Sequence, residues 1–367
     1  MTKKIRIVGI IALGTVWLGL TAFAWFGPAK EISDAERRKL AQFPEISAGS
    51  VLSGDFMADF EAYTLDQFPA RDTFRRLKAL VHYDLLGQGD NNGIYIAGGH
   101  AAELEYPLNE TSVSNAVKKF NSIYERYLKD TGSTVVMTVI PDKGCYLAEE
   151  NGYPAMDYEA LFEQVRAGTA WARFVDITDL LSAEDYYRTD THWRQEELMD
   201  VAQRLCQALE ASPVQEEAFT KTAVERPFYG VYYGQAALPM EPETIWLMES
   251  ETLAGCSVYN YETGETAAVY DLDKLDSRDL YDVYLSGAAA LLTIENPNAG
   301  SERELIVFRD SFGSSLVPLL VSDYASVTLV DIRYISSDIL GQFIDFHGQD
   351  VLFAYSTLVL NNSNTLK

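Results

Sequence analysis

Four short runs that are almost wholly apolar constrain this chain more than any other feature: Thr134 to Ile140, Leu305 to Phe308, Val327 to Asp331 and Val351 to Tyr355. A strand-length run without polar alternation is covered on both faces, which places it inside a parallel sheet flanked by helices. The first run is bounded by Gly132-Ser133 and Pro141-Asp142, both turn-forming pairs. Val113, Val117, Phe120, Tyr124, Tyr127 and Leu128 recur at helical spacing and stop before Gly132, a natural C-terminal cap. Further helices are expected near Tyr158 to Arg166, over Glu196 to Leu209, after Gly313 and from Ser336 to Phe346, with a strand at Arg173 to Ile177. This alternation predicts a three-layer α/β/α domain built on a parallel sheet.

The rest of the chain is arranged around that rhythm. Residues 31–101 read as a helical lead-in, with helices at Phe56 to Tyr63 and Asp72 to Leu85 and a strand-turn piece at Gly93 to Ile96. The main domain is expected over 102–367. Within it, residues 213–299 change to short aromatic and β-branched pieces such as Phe228 to Tyr233 and Thr266 to Tyr270, separated by turn signals like Glu262-Thr263-Gly264. They read as a mainly β insertion. Hydrophobic residues at 47% and charged residues at 23% are ordinary for a folded chain. The formal charge of -25, from 54 acidic and 29 basic residues, repels phosphate backbones and anionic surfaces, so nucleic acid is not an expected partner. Three widely spaced cysteines, Cys145, Cys206 and Cys256, form no CxxC pair and indicate no disulfide framework; Cys206 falls on the apolar face of its helix.

At the amino terminus, Lys3, Lys4 and Arg6 precede an uncharged, largely apolar run from Ile7 to Phe26, long enough to cross a bilayer as a helix. The basic residues are expected to stay in the cytoplasm, which puts everything after Lys30 outside it. Residues 1–30 thus read as a basic stub and membrane anchor. Ala22-Phe23-Ala24 leaves cleavage as a signal peptide open.

Only four histidines occur, at positions 82, 100, 192 and 347, so a histidine-based site has few candidates and a multi-histidine metal site fewer. His192 lies in Tyr187-Arg188-Thr189-Asp190-Thr191-His192-Trp193. An Asp two residues before a His can fold back to accept the Nδ1 proton, leaving Nε2 as a base. The same pair also occurs as metal ligands or as a helix N-cap. Ser311, in Arg309-Asp310-Ser311-Phe312-Gly313, follows an apolar strand and opens a helical segment. That position exposes a nucleophile beside backbone N–H donors, although a capping serine fits it too.

Asp-Ser-Phe after a strand, with Thr189-Asp190-Thr191-His192-Trp193 upstream, resembles the SGNH hydrolase-like domains of alginate O-acetylation proteins, and more closely the bacterial DHHW protein family. Asp66-Gln67-Phe68-Pro69 with Arg71, Asn92-Gly93-Ile94-Tyr95, Pro141-Asp142-Lys143 and Asp331-Ile332-Arg333-Tyr334 are similar to that family as well. These landmarks cover nearly all of the chain after the anchor. The resemblance implies an SGNH-type fold with Ser311 as nucleophile, His192 as general base and then acid, and Asp190 as its orienting partner. Here the Asp/His block precedes the serine, the reverse of ordinary SGNH hydrolases and the order of the alginate-type relatives. Thr191 stands where a second histidine would be expected.

Around this triad, the Ser311 amide and either Gly287 or Asn296 are candidate oxyanion donors. Lys143 and Arg309 follow strands at the end where the triad gathers, as cations for an acidic sugar or acyl oxygen, or as partners in salt bridges. Trp193, Tyr187, Tyr232 and Tyr233 are candidate platforms for sugar rings, or core residues. The implied function is a carbohydrate O-acetyltransferase or O-acetylesterase acting outside the membrane on an envelope or exopolysaccharide glycan, with no metal or organic cofactor. The resemblance also suggests a membrane-bound O-acyltransferase as partner. A catalytically idle glycan-binding scaffold is the rival from another class, and a serine peptidase is a third reading.

Overall fold

The computed structural model describes residues 3–367, apart from the side chains of Lys3, Lys4, Trp25 and Phe26. The expected cytoplasmic charges of Lys3 and Lys4 thus lie outside what is described. The chain divides into two compact units: residues up to Asn92 with Tyr233–Pro239, and Gly93–Tyr232 with Met240–Lys367.

The smaller unit begins with a helix over Lys3–Phe26, of which Ile5–Ala24 is apolar enough to cross a membrane and is nowhere buried. A short hairpin pairs Ile32–Ser33 with Arg38–Lys39. Helices follow at Asp55–Asp66 and Arg71–Leu80, the second continuing as a π-type turn over Val81–Leu85. Arg38 grips Asp66 through two hydrogen bonds of 2.8 and 2.6 Å, and this holds the Asp66 carboxyl down at about 2. The returning segment 233–239 joins this unit through the Asn91 amide, which donates to the Ala236 carbonyl at 2.7 Å.

The larger unit holds an eight-stranded sheet. Its strands are β1 (Val135–Ile140), β2 (Arg173–Phe174), β3 (Ser257–Asn260), β4 (Thr266–Ala267), β5 (Leu291–Glu295), β6 (Glu304–Arg309), β7 (Ser326–Val330) and β8 (Asp350–Ser356). Across the sheet they run β4-β3-β5-β7-β6-β8-β1-β2. The five from β7 to β2 are parallel, and β5, β3 and β4 extend that sheet by antiparallel pairing. Alternate residues of each central strand feed opposite layers. Leu305 and Val307, with Leu352 and Ala354, face the core shared with the helix Met199–Ala208. Ile306 and Phe308, with Val351, Phe353 and Tyr355, face the core beneath the helices Glu110–Ile123 and Tyr158–Gly168. This is the three-layer α/β/α sandwich expected of apolar runs covered on both faces.

Several boundaries differ from expectation. The hairpin of Ile94–Ala97 and His100–Glu103 belongs to the larger unit rather than to the lead-in, because the Ala101 amide donates to the Arg188 carbonyl at 2.7 Å. The mainly β stretch 213–299 is built into the sheet: β3, β4 and β5 are its antiparallel edge, while Thr220–Ala223 and Trp246–Glu249 pair apart from it. Within that stretch, Phe228 forms a lone bridge to Glu243 and Val231–Ala236 is helical. The strand expected at Arg173 to Ile177 reduces to the two residues of β2. After Gly313 the α-helix lasts for Gly313–Leu316 and tightens into a 3-10 helix over Val317–Asp323, where Pro318 offers no N–H to an α-helical ladder. From Ser336 the backbone also winds as a 3-10 helix, Ser337–Gln342, with the Ser336 hydroxyl accepting from the Asp338 amide.

Candidate active site

Ser311 lies just beyond the carboxyl end of β6, a central strand, at the edge where open α/β sheets generally bind ligands. The preceding Asp310 fixes the turn. Its carboxylate accepts from the Phe312 amide at 3.0 Å and from the Ser356 amide, at the end of neighbouring β8, at 2.7 Å. The Ser314 amide donates to the Ser311 carbonyl, whereas the Ser311 N–H donates to no acceptor among the described residues.

The second half of the site comes from a tight loop. Tyr186 and Trp193 form a bridge, and the Tyr187 amide donates to the His192 carbonyl at 3.1 Å. Between them, Glu243 accepts from the Arg188 and Thr189 amides and from the Thr189 hydroxyl. The Gly230 amide donates to the same hydroxyl oxygen. Gly230 must be glycine: a Cβ there would sit 2.3 Å from the Asp190 Cβ and 2.4 Å from the Thr189 carbonyl oxygen. This close approach brings the Val231 amide to Asp190 Oδ2 at 2.7 Å.

Asp190 is fully buried, and its Oδ1 accepts from the His192 amide at 3.1 Å and lies 2.6 Å from His192 Nδ1. A carboxylate at that distance assigns the proton to Nδ1, which makes Nε2 an acceptor. His192 Nε2 is 2.8 Å from Ser311 Oγ. The imidazole lies flat on Tyr281, with ring centroids 3.9 Å apart and planes 7° from parallel. The Tyr281 hydroxyl and the Trp193 indole N–H both reach Ser315 Oγ, at 2.8 and 3.0 Å, so the ring under the histidine is tied back to the serine's own turn. Burial pushes the Tyr281 phenol far above its usual range, keeping it a neutral donor.

The five residues expected to bind substrate are corrected by their surroundings. Lys143 is buried, with its ammonium donating to the Ala101 and Tyr187 carbonyls; it pins the hairpin to the histidine loop. Burial pushes that ammonium down to about 7. Arg309 is buried too, and donates to the Asp310 carbonyl and Ser314 Oγ beneath the serine turn. Tyr187 packs edge-on against Phe228, Trp193 against Phe312, and the Tyr232 hydroxyl meets Thr191 at 3.1 Å. None presents a face to solvent. Neither proposed second oxyanion donor is in place. The Asn296 amide is consumed by the Val321 and Tyr324 carbonyls just past β5, which ends alongside the entry of β6; the Gly287 N–H closes a turn onto Tyr284. Sequence reasoning missed Asp310, Glu243 and Tyr281. Asp310 was legible only as the neighbour of Ser311, and the other two sit in segments without a motif.

Residues 101–271 match the family described as SGNH hydrolase-like domain, acetyltransferase AlgX, a stretch that includes Asp190 and His192 and ends before Ser311. The chain carries an SGNH hydrolase-like domain. Among solved structures, it is similar to a DHHW family protein from Eubacterium siraeum, with a TM-score of 0.59, 20% identity, and 75% of this chain and 94% of that one covered. It is also similar to Bacillus cereus PatB1 bearing a sulfonyl adduct, with a TM-score of 0.59, 16% identity, and 73% and 95% covered. At such identities the likeness is one of fold. No curated protein matches the chain in sequence.

Proposed function

We propose that this protein is a carbohydrate O-acetyltransferase or O-acetylesterase that works outside the cytoplasm through Ser311, His192 and Asp190. The observation that carries this reading is the unbroken hydrogen-bond chain from buried Asp190 through His192 to Ser311. His192 Nε2 takes the hydroxyl proton as Ser311 Oγ attacks the acyl carbonyl, and the carbonyl oxygen becomes an oxyanion facing the uncommitted Ser311 N–H. Collapse expels the donor alcohol, which receives the proton from His192 and leaves an acetyl-serine. A sugar hydroxyl or water, deprotonated by His192, then attacks the acetyl carbon and restores the serine. Asp190 stabilises the imidazolium in both halves and stays ionised.

The match to an acetyltransferase domain supports acetyl as the transferred group and a glycan as acceptor. The apolar helix at Ile5–Ala24 supports an anchored protein with the domain outside, where a membrane-bound O-acyltransferase is the expected source of acyl groups. Sulfonyl groups react with activated hydroxyls, and the adduct on PatB1 suggests the probe. The full chain should hydrolyse 4-nitrophenyl acetate and be inactivated by a sulfonyl fluoride, with the modified peptide containing Ser311. Ester turnover that survives Ser311→Ala, or label placed elsewhere, overturns the assignment.

A further inference from the structure

The smaller unit carries a surface that the acetyl-transfer reading leaves unused. Residues 43–86 expose twelve large apolar side chains, against eight over the whole larger unit, five of those being tyrosines. On the continuous helical stretch from Arg71 to Leu85, Phe74, Leu77, Val81 and Leu85 fall at spacings of three and four, so they form one stripe. Leu77 is 55% exposed and Leu85 76%; Leu52, in a neighbouring short helix, is 87% exposed. Beside the stripe, Leu65, Phe68 and Phe74 share the wall of a cavity of about 500 Å³ with Lys78 and with Arg71 and Arg75, both paired to Glu36 in the same wall. Apolar rings beside Lys78 and an ion-paired polar rim match the boundary between acyl chains and headgroups.

What covers this surface is indicated by where the apolar helix lies. Trp17, Leu20 and Ala24, in its second half, enclose with Phe43, Phe60 and Phe68 an apolar cavity of about 300 Å³. The exit of the chain is fixed by a reciprocal pair: the Lys30 amide donates to Gln67 Oε1 and Gln67 Nε2 donates to the Lys30 carbonyl, both at 2.8 Å. The lead-in rings therefore lie alongside the outer half of the helix rather than beyond its end. Residues 28–92 hold eight basic and eleven acidic residues, so they escape most of the acidity that makes the chain as a whole repel a membrane.

We infer that residues 43–86 form a monotopic seat that lies in the outer interface of the bilayer, with the Phe74, Leu77, Val81 and Leu85 stripe immersed at headgroup depth. The inference rests on the Lys3–Phe26 helix crossing that same bilayer. A test uses the full chain in vesicles of phosphatidylethanolamine and phosphatidylglycerol that contain no other protein. A thiol-reactive nitrobenzoxadiazole probe is placed by Leu77→Cys, Leu85→Cys or Leu52→Cys, with Val16→Cys marking the spanning helix and Leu272→Cys the larger unit. The native thiols Cys145, Cys206 and Cys256 are held by burial at about 12, about 12 and about 11, so they compete little at neutral pH. Labels at 77, 85 and 52 should shift to the blue and be quenched by lipids doxylated near the headgroup, while the label at 272 stays in water. If 16 is quenched by deep doxyl lipids but 77, 85 and 52 remain in water, the seat is refuted, the anchor stands, and the stripe is left for a protein partner. If 16 also remains in water, the anchor fails and the seat fails with it.

Discussion

The two units dispose of large apolar side chains in opposite ways. In the larger one, strands such as β8 bury all seven of their residues, and Phe353 stacks on Phe308 at 4.5 Å beneath the rings of Phe120 and Trp171. In the smaller one, neither Asp55–Asp66 nor Ala48–Ser53 buries a single residue, and Arg71–Leu80 buries only Ala79. Both follow the hydrophobic effect, which rewards removal of apolar area from water whatever removes it. The larger unit does this with its own chain. The smaller unit is completed by something outside the chain, and apolar exposure there is a record of its surroundings rather than weak packing.

This contrast can be broken by substitution. The largest effect belongs to the serine turn: Ser311→Ala or His192→Ala should each cut acetyl-ester turnover by about 10⁴-fold or more, with the double variant little worse than either single one. Additive losses would show that the two act separately. Lead-in variants assayed in detergent should keep turnover. Next, Phe353→Ala should lower unfolding free energy by about 3–5 kcal/mol in denaturant titrations, since it opens a cavity between two aromatic layers. Gly230→Ala should cost roughly 1–3 kcal/mol, because the added methyl meets backbone on a rigid loop. It should also reduce kcat more than KM, by displacing the amide that holds Asp190. A folded variant with unchanged kcat would remove Gly230 from the support of the triad.

An effect that shows only in the pH dependence is expected from Lys143. Its native ammonium titrates near 7 against the ordinary 10.5, so between those values the unfolded chain keeps a proton that the native one has lost. Stability then rises with pH across that window, and the full cost of burying the charge is felt below 7. Melting temperatures of Lys143→Met should lose that upward slope between pH 7 and 10, whatever their absolute level. Smallest of all, Leu77→Ser should change the unfolding free energy in detergent by no more than about 0.5 kcal/mol. A loss comparable to that of Phe353→Ala would mean that the stripe packs within the protein after all.

The sequence was most informative where burial on two faces leaves no alternative. Val351 to Tyr355 and Thr134 to Ile140 read as interior parallel strands because their β-branched and aromatic runs fit nothing else of that length. Helical periodicity did equally well for Val113 to Phe120, but failed after Gly313 and Ser336, where Pro318 and a serine cap favour tighter winding over apolar positions that look the same on the page. The short pieces of 213–299 could not reveal whether they pair with one another or with the main sheet, since strand pattern encodes faces and not partners. At the site, Asp190, His192 and Ser311 stood out because their chemistry is concentrated in two short motifs. Gly230 gave no such signal, because its constraint comes from Thr189 and Asp190, far back along the chain. Lys143, Tyr187 and Trp193 misled for the opposite reason. Polar tips on large side chains suit a binding surface, yet here they satisfy backbone groups inside a core.

β8 follows all the other strands of the sheet in sequence, yet it lies between β6 and β1. A ribosome therefore releases β1 long before the neighbour that will cover its open side. Until residues 350–356 emerge, no strand pairing joins β1 and β2 to the rest of the sheet, and Asp310 lacks the Ser356 amide that sets its turn. The sheet is thus continuous only once its central strand has paired, a closure of high contact order and correspondingly slow.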